Sequence, residues 1–161
     1  MTDFRALIQA LSGSEVRFVI VGGVAAALHG SARLTQDVDI VYARDAGNLA
    51  RIVQALAPLR PYLRGAPPEL PFRLDEQTLA AGLNFTLTTS AGDIDLLGEI
   101  AGAGSYNALN PHTVEVELFG APCRCLDLPT LIAAKVASGR PKDLEAIAEL
   151  RALLEERPPG E

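Results

Sequence analysis

Residues 18–42 read FVIVGGVAAALHGSARLTQDVDIVY, and the fold turns on how that stretch is parsed. The apolar run ending at Val21 reads as a buried strand over 17–21, broken by Gly22-Gly23. Val24 to Leu28 then form a short helix that Gly30 ends. A second strand follows over 37–42. It carries two carboxylates, Asp37 and Asp39, among Val38, Ile40 and Val41. Residues i and i+2 of a strand share a face. Both acids therefore point the same way, and Val38 and Ile40 face the core.

The same pattern returns in DIDLL, residues 93–97. It falls in the second strand of a hairpin, with strands over about 83–89 and 93–97 and a turn at Ser90-Ala91-Gly92. Placed on adjacent strands, the two acidic pairs gather three or four carboxylates at one end of a sheet. Like charges that close raise one another's pKa and destabilise the fold. A hard divalent cation, Mg²⁺ or Mn²⁺, prefers oxygen ligands and removes that cost. Paired metal ions in such a site can also hold phosphates and activate an attacking hydroxyl. A lone D-x-D is common on a solvent-facing strand, and a lone Gly pair is often only a tight turn. Glycines at a strand-to-helix turn suit a phosphate, and with D-x-D and a later strand acid in that order the combination is far more specific.

Elsewhere, helices are expected over 3–12, over 46–57 behind an Asp45 cap, over 130–138 with Pro129 in the first turn, and over 142–155. Residues 112–127 form a second hairpin. The stretch APLRPYLRGAPPELP, residues 57–71, holds five prolines and a glycine and reads as a mobile loop; a helical turn in DEQTLAAG follows it. The order of elements predicts a mixed α/β (α+β) sheet flanked by helices, with a C-terminal helical pair. Residues 1–128 make the core and 129–161 a helical segment packed on it, a single domain overall.

Hydrophobic residues make up 48% of the 161, enough for a packed core, and the net charge is −6. The charge is uneven: eight Arg face seven acids up to residue 75, and six basic residues face thirteen acids beyond it. Without a basic stripe, tight non-specific nucleic-acid binding is not expected, though an encounter with an RNA end stays open. No apolar run is long enough to span a membrane and the N-terminus has no signal-peptide layout, so a cytoplasmic protein with no membrane partner is expected. Cys123 and Cys125 are read as strand residues in a reducing compartment, with no disulfide. His29 and His112 are too few to complete a zinc site with them.

The segment GGVAAALHGSARLTQDVDI, residues 22–40, resembles the signature of the nucleotidyltransferase superfamily that includes DNA polymerase beta. The tail KVASGRPKDLEAIAELRAL, residues 135–153, is similar to that of small prokaryotic members, the AbiEii-type toxins and minimal nucleotidyltransferases. The likeness spans residues 17 to about 153 and leaves 58–82 unmatched. It implies the nucleotidyltransferase fold and an enzyme that moves a nucleoside monophosphate from an NTP such as ATP to an acceptor hydroxyl, with Mg²⁺ or Mn²⁺. The acceptor would be a tRNA 3′ end, a protein or a small molecule; the toxin likeness adds a cognate antitoxin. By the same resemblance Asp37 and Asp39 ligate the metals and Asp95 is the third acid, with Asp93 its rival. Gly22 and Gly23 offer N–H groups to the phosphates. Arg33 reaches a phosphate, Thr35 orients an aspartate, and Lys135 and Lys142 neutralise charge or hold phosphate. Blander readings stand beside these: a surface Arg33, a strand-start Thr35, a helix-start Asp143 and a capping or packing His29. The wider family carries Gly-Ser at the turn, whereas this chain has Gly22-Gly23-Val24. A catalytically inactive nucleotide- or partner-binding module that retains the fold is the alternative.

Overall fold

Four aspartates start four helices. Asp3 caps α1 (Phe4–Gly13), Asp45 caps α3 (Ala46–Leu56), Asp75 caps α4 (Glu76–Ala81) and Asp127 caps α6 (Leu128–Ser138), each accepting from a backbone N–H in the first turn. The computed structural model describes residues 1–157; residues 158–161, the end of the expected C-terminal segment, lie outside the described residues. The remaining helices are α2 (Gly22–Leu28), α5 (Tyr106–Leu109) and α7 (Leu144–Glu155).

The strands are β1 (Phe18–Val21), β2 (Asp37–Tyr42), β3 (Tyr62–Leu63), β4 (Phe85–Thr89), β5 (Gly92–Leu97), β6 (Glu99–Ile100), β7 (Gly104–Ser105), β8 (Thr113–Leu118) and β9 (Ala121–Leu126). Seven of them form a mixed sheet in the order β3-β4-β5-β2-β1-β9-β8, and β6 and β7 pair separately. β2 runs parallel to β5, and β1 parallel to β9; the other neighbours are antiparallel. The expected mixed α/β sheet flanked by helices is what forms.

One face of the sheet is apolar. Cross-strand partners share a face, so Leu87, Ile94 and Val38 lie in one row and Phe85, Leu96, Ile40 and Ile20 in the next, all buried. Helix α1 contributes Leu7, Ile8 and Leu11 to the core, and α3 contributes Leu49, Ile52 and Leu56. Buried Asn48 ties α3 to the sheet: its Nδ2 donates to Arg17 O and Ala43 O at 3.1 and 2.7 Å, and its Oδ1 accepts from Arg17 N at 2.7 Å.

Three details depart from the sequence expectations. Gly22 and Gly23 do not precede the helix; they are its first residues. The proline-rich segment contains a two-residue edge strand, β3, which its five prolines obscured. The small hairpin β6–β7 and α5 were not anticipated in EIAGAGSYNALN, where glycines and alanines leave no periodic signal. The β8–β9 turn sits at Phe119 and Gly120, both at positive φ (52° and 80°), the backbone of a tight two-residue hairpin.

Candidate active site

The parallel pairing of β2 and β5 sets the site. Its register places Asp37 opposite Asp93 and Asp39 opposite Asp95. All four carboxylates therefore share the face opposite Ile94 and Val38, as the repeated D-x-D pattern requires. Carboxylate oxygens of Asp37, Asp39 and Asp95 lie within 4.8 Å of one another. Asp93 sits beside Asp37 at the outer edge, its side chain 36% exposed against 21% for Asp95. On β4, Thr86 and Thr88 continue the same face as cross-strand partners of Asp95 and Asp93.

The crowding has an electrostatic signature. Burial first, then the charges of Asp95 and Asp37, push the Asp39 carboxyl up to about 7, against a downward pull from Arg64. Asp39 Oδ1 is buried and has no hydrogen-bond partner among the described residues. An all-carboxylate donor set with one buried, unpartnered oxygen is the chemistry a hard divalent cation such as Mg²⁺ or Mn²⁺ fits.

The Gly22 turn closes over Asp39. Gly22 has φ +67°, and a Cβ there would fall 2.8 Å from Asp39 Cγ. A Cβ on Gly23 would lie 2.5 Å from Thr35 Oγ1. Both positions need the missing side chain, so the turn can approach the acidic strand as a bare backbone. Thr35 Oγ1 donates to the main-chain oxygen of Asp37 at 3.2 Å, so Thr35 bonds the backbone of that aspartate and not its carboxylate.

Two hollows flank the turn. One, of about 240 Å³, is bounded by Gly22, Asp39, Leu97, Ile100, Leu131 and Lys135. The other, of about 170 Å³, is lined by Gly23, Arg33, Thr35, Lys135 and Lys142 among others. Lys135 borders both. Arg33 lies 3.8 Å from Glu145, an open surface pair. Asp143 is buried and accepts from Arg140 Nε at 2.8 Å, a local tie at the start of α7. A larger hollow of about 530 Å³ lies away from the carboxylates, beside Tyr42, Arg44 and Tyr106. Its arginines are already engaged, Arg17 with Asp45 and Arg44 with Tyr42 Oη and Ala80 O.

His29 ends α2 as its C-cap. Its Nε2 donates to Leu126 O at 2.7 Å, and its Nδ1 accepts from Arg157 Nη2 at 2.5 Å. It packs; it does not face the carboxylates. Cys123 and Cys125 are buried free thiols, and burial pushes Cys125 up to about 12. No described helix is long and apolar enough to cross a membrane.

One residue at the centre of the site was missed. Arg64, just past β3, reaches over β4 with Nη2 2.8 Å from Asp95 Oδ1, Nε 3.4 Å from Asp93 Oδ2 and Nη1 3.6 Å from Asp37 Oδ2. Its backbone N–H bonds Thr86 O at 3.0 Å, which anchors it at the sheet edge. The only signal for it was indirect: four clustered carboxylates call for a cation, and the unmatched segment carries Arg60, Arg64 and Arg73.

No protein-family model matches the chain, and no curated protein matches it in sequence. Several solved structures are similar in shape, two of them as follows. TM1012 of Thermotoga maritima, whose nucleotidyltransferase assignment is itself provisional, superposes with a TM-score of 0.57 at 21% identity, over 95% of this chain and 91% of that one. The lincosamide antibiotic adenylyltransferase LnuA, determined with lincomycin bound, gives a TM-score of 0.56 at 16% identity, over 96% and 98%. At such identities the likeness speaks to architecture: along nearly its whole length, this chain has the nucleotidyltransferase fold.

Proposed function

We propose that the protein transfers a nucleoside monophosphate from an NTP to an acceptor hydroxyl, with a divalent metal held by Asp37, Asp39 and Asp95. The observation that carries this reading is the convergence of those three carboxylates, one with a buried unpartnered oxygen, beneath a side-chain-free Gly22 turn. The fold shared with TM1012 and LnuA supports it.

When bound, Mg²⁺ or Mn²⁺ supplies charge neutralisation at the α-phosphate and lowers the pKa of the acceptor hydroxyl. The chain does the rest. Gly22 and Gly23 let phosphate oxygens approach backbone N–H groups at the start of α2, which have no partner within the helix. Lys135, Lys142 and Arg33 offer cations to the β- and γ-phosphates from the hollow beyond the turn. The apolar hollow beside Asp39 takes the nucleoside portion. Asp95, on the β4 side of the cluster, orients the acceptor hydroxyl and accepts its proton. The acceptor oxygen then bonds the α-phosphorus, the bond to the β-phosphate oxygen breaks, and pyrophosphate leaves with that electron pair.

Incubating the full chain with the four α-labelled NTPs, Mg²⁺ and a cell extract tests the reading. Label should pass to an acceptor and should not pass with Asp37→Ala/Asp39→Ala; equal labelling by both proteins refutes it. A tRNA, a protein or a small molecule would each be seen as the labelled species. The toxin and antitoxin roles rest on the sequence resemblance alone. A second reading, an inactive nucleotide- or partner-binding module, is favoured by one observation, the Arg64 guanidinium lying across the carboxylates. It predicts no labelled acceptor under any condition.

A further inference from the structure

We propose that Arg64 is the built-in counter-cation of the carboxylate site, seated on oxygens that a divalent ion would use, so that loading the ion displaces it. The inference rests on the metal-dependent reading above.

Two of the three carboxylates that Arg64 pairs with, Asp37 and Asp95, belong to the group whose oxygens converge. The third, Asp93, lies next to them in the β2–β5 register. A guanidinium keeps its charge at any pH a protein survives. It cannot be neutralised to make room, so it must move when a second cation arrives at the same oxygens.

The contact set is also incomplete in a telling way. Arg64 Nη2 is well bonded, donating to Asp95 Oδ1 at 2.8 Å and Leu87 O at 2.7 Å. Nε is buried and has no hydrogen bond of sound geometry among the described residues. Asp39 Oδ1 is likewise without a partner. One positive charge, held off to the β4 side, pairs with three carboxylates and forms no ion pair with the fourth, Asp39, among the described residues. A divalent ion carries twice the charge and can bond Asp39 directly.

The chain next to Arg64 has room for the exchange. Gly65 has φ +78° with open space where a Cβ would be, and Pro67 to Pro71 are exposed. The guanidinium can withdraw over Thr86 without disturbing the β3–β4 pairing, because its anchor is the main chain.

Mn²⁺ binding by the full chain, read by electron paramagnetic resonance, tests this. Arg64→Gln should bind Mn²⁺ about tenfold or more tightly than wild type, the factor given by removing one charge-assisted competitor. It should also melt at a lower temperature without metal. Arg64→Lys, which keeps the charge, should stay within about threefold of wild type. Equal or weaker Mn²⁺ binding by Arg64→Gln overturns the inference while leaving the function intact if Asp39→Asn still abolishes binding. No Mn²⁺ binding by wild type or Arg64→Gln overturns both. Should Arg64→Gln not fold, the wild-type protein decides: the Arg64 Nε–H nuclear resonance should shift and exchange faster with solvent on adding Mg²⁺, and an unmoved signal refutes displacement.

Discussion

The two sides of the Gly22-Gly23 turn carry opposite charge and are built in opposite ways. On one side, carboxylates stand on β2 and β5, and a backbone ladder sets their spacing. On the other, Arg33 comes from a loop, Lys135 from the last turn of α6 and Lys142 from the turn before α7. The acids cannot spread apart, so the strain appears as a raised Asp39 pKa and a buried oxygen without a partner. The cations are exposed or half-exposed and their pairs are loose, as the 3.8 Å Arg33–Glu145 contact shows, and solvent screens them. A sheet fixes like charges close together. Loops and helix ends can follow a flexible polyphosphate.

Asp39→Asn tests the rigid side most severely. Label transfer should fall by about a hundredfold or more, the scale of losing a group that holds developing charge. The metal-free protein should nevertheless become more stable, because Asn imitates the protonated acid. The sign follows from linkage: the folded state holds the Asp39 proton up to about 7, above the ordinary value of 3.8. Metal-free wild type therefore loses stability as pH rises through that window, and the Asn variant does not. Thermal melts at pH 4.5 and 7.5 with a chelator would show it. A variant that melts lower than wild type at pH 7.5 would break the comparison.

Gly22→Ala comes next. At φ +67° any side chain is strained, and this one would strike the Asp39 carboxylate. A loss of about 1–3 kcal/mol in urea unfolding is expected from the backbone alone, with transfer lost as Asp39 is pushed aside. Normal stability with normal transfer would mean that the turn does not sit this close.

How the rigid side could be read from sequence, and Arg64 could not, has a physical reason. Strand periodicity is local: DVDI and DIDL declare their faces within four residues. Only the pairing of β2 with β5 needed the fold; the resemblance implied no more than a third acid on a later strand. Arg64 follows a strand of two residues in a proline-rich segment, and its partners lie 27 to 31 residues away in sequence or on another strand. Nothing periodic marks such a contact. The Gly pair was legible as a strand-to-helix turn, but its close approach to Asp39 and its place inside α2 were not, since glycine weakens any helix expectation.

The flexible side should give milder effects. Lys135→Ala should raise KM for the NTP by about tenfold, in line with one lost charge-assisted contact. Lys142→Ala should do less, because Lys135 borders both hollows and Lys142 one. Neither should move the melting temperature by more than a degree or two, as exposed and half-exposed side chains without an ion pair among the described residues contribute little to stability. A larger effect from Lys142 would reverse the expected path of the phosphates.

The smallest effect concerns the loop that carries Arg33. Glu149 on α7 accepts from Ser31 Oγ at 2.6 Å and from Ala32 N at 3.2 Å, and these bonds, the hydroxyl's first, hold its carboxyl below the usual range. A lowered acid stabilises above its ordinary pKa and ceases to as pH falls through the folded value. Glu149→Gln should therefore melt slightly below wild type at pH 7, with the gap closing below pH 4.5. It should raise KM for the NTP less than Lys142→Ala does, since it slackens the Arg33 loop without removing a cation. A Glu149→Gln protein that matches Asp39→Asn in lost transfer would show that the loop is held as firmly as the strands, and the contrast between the two sides would fail.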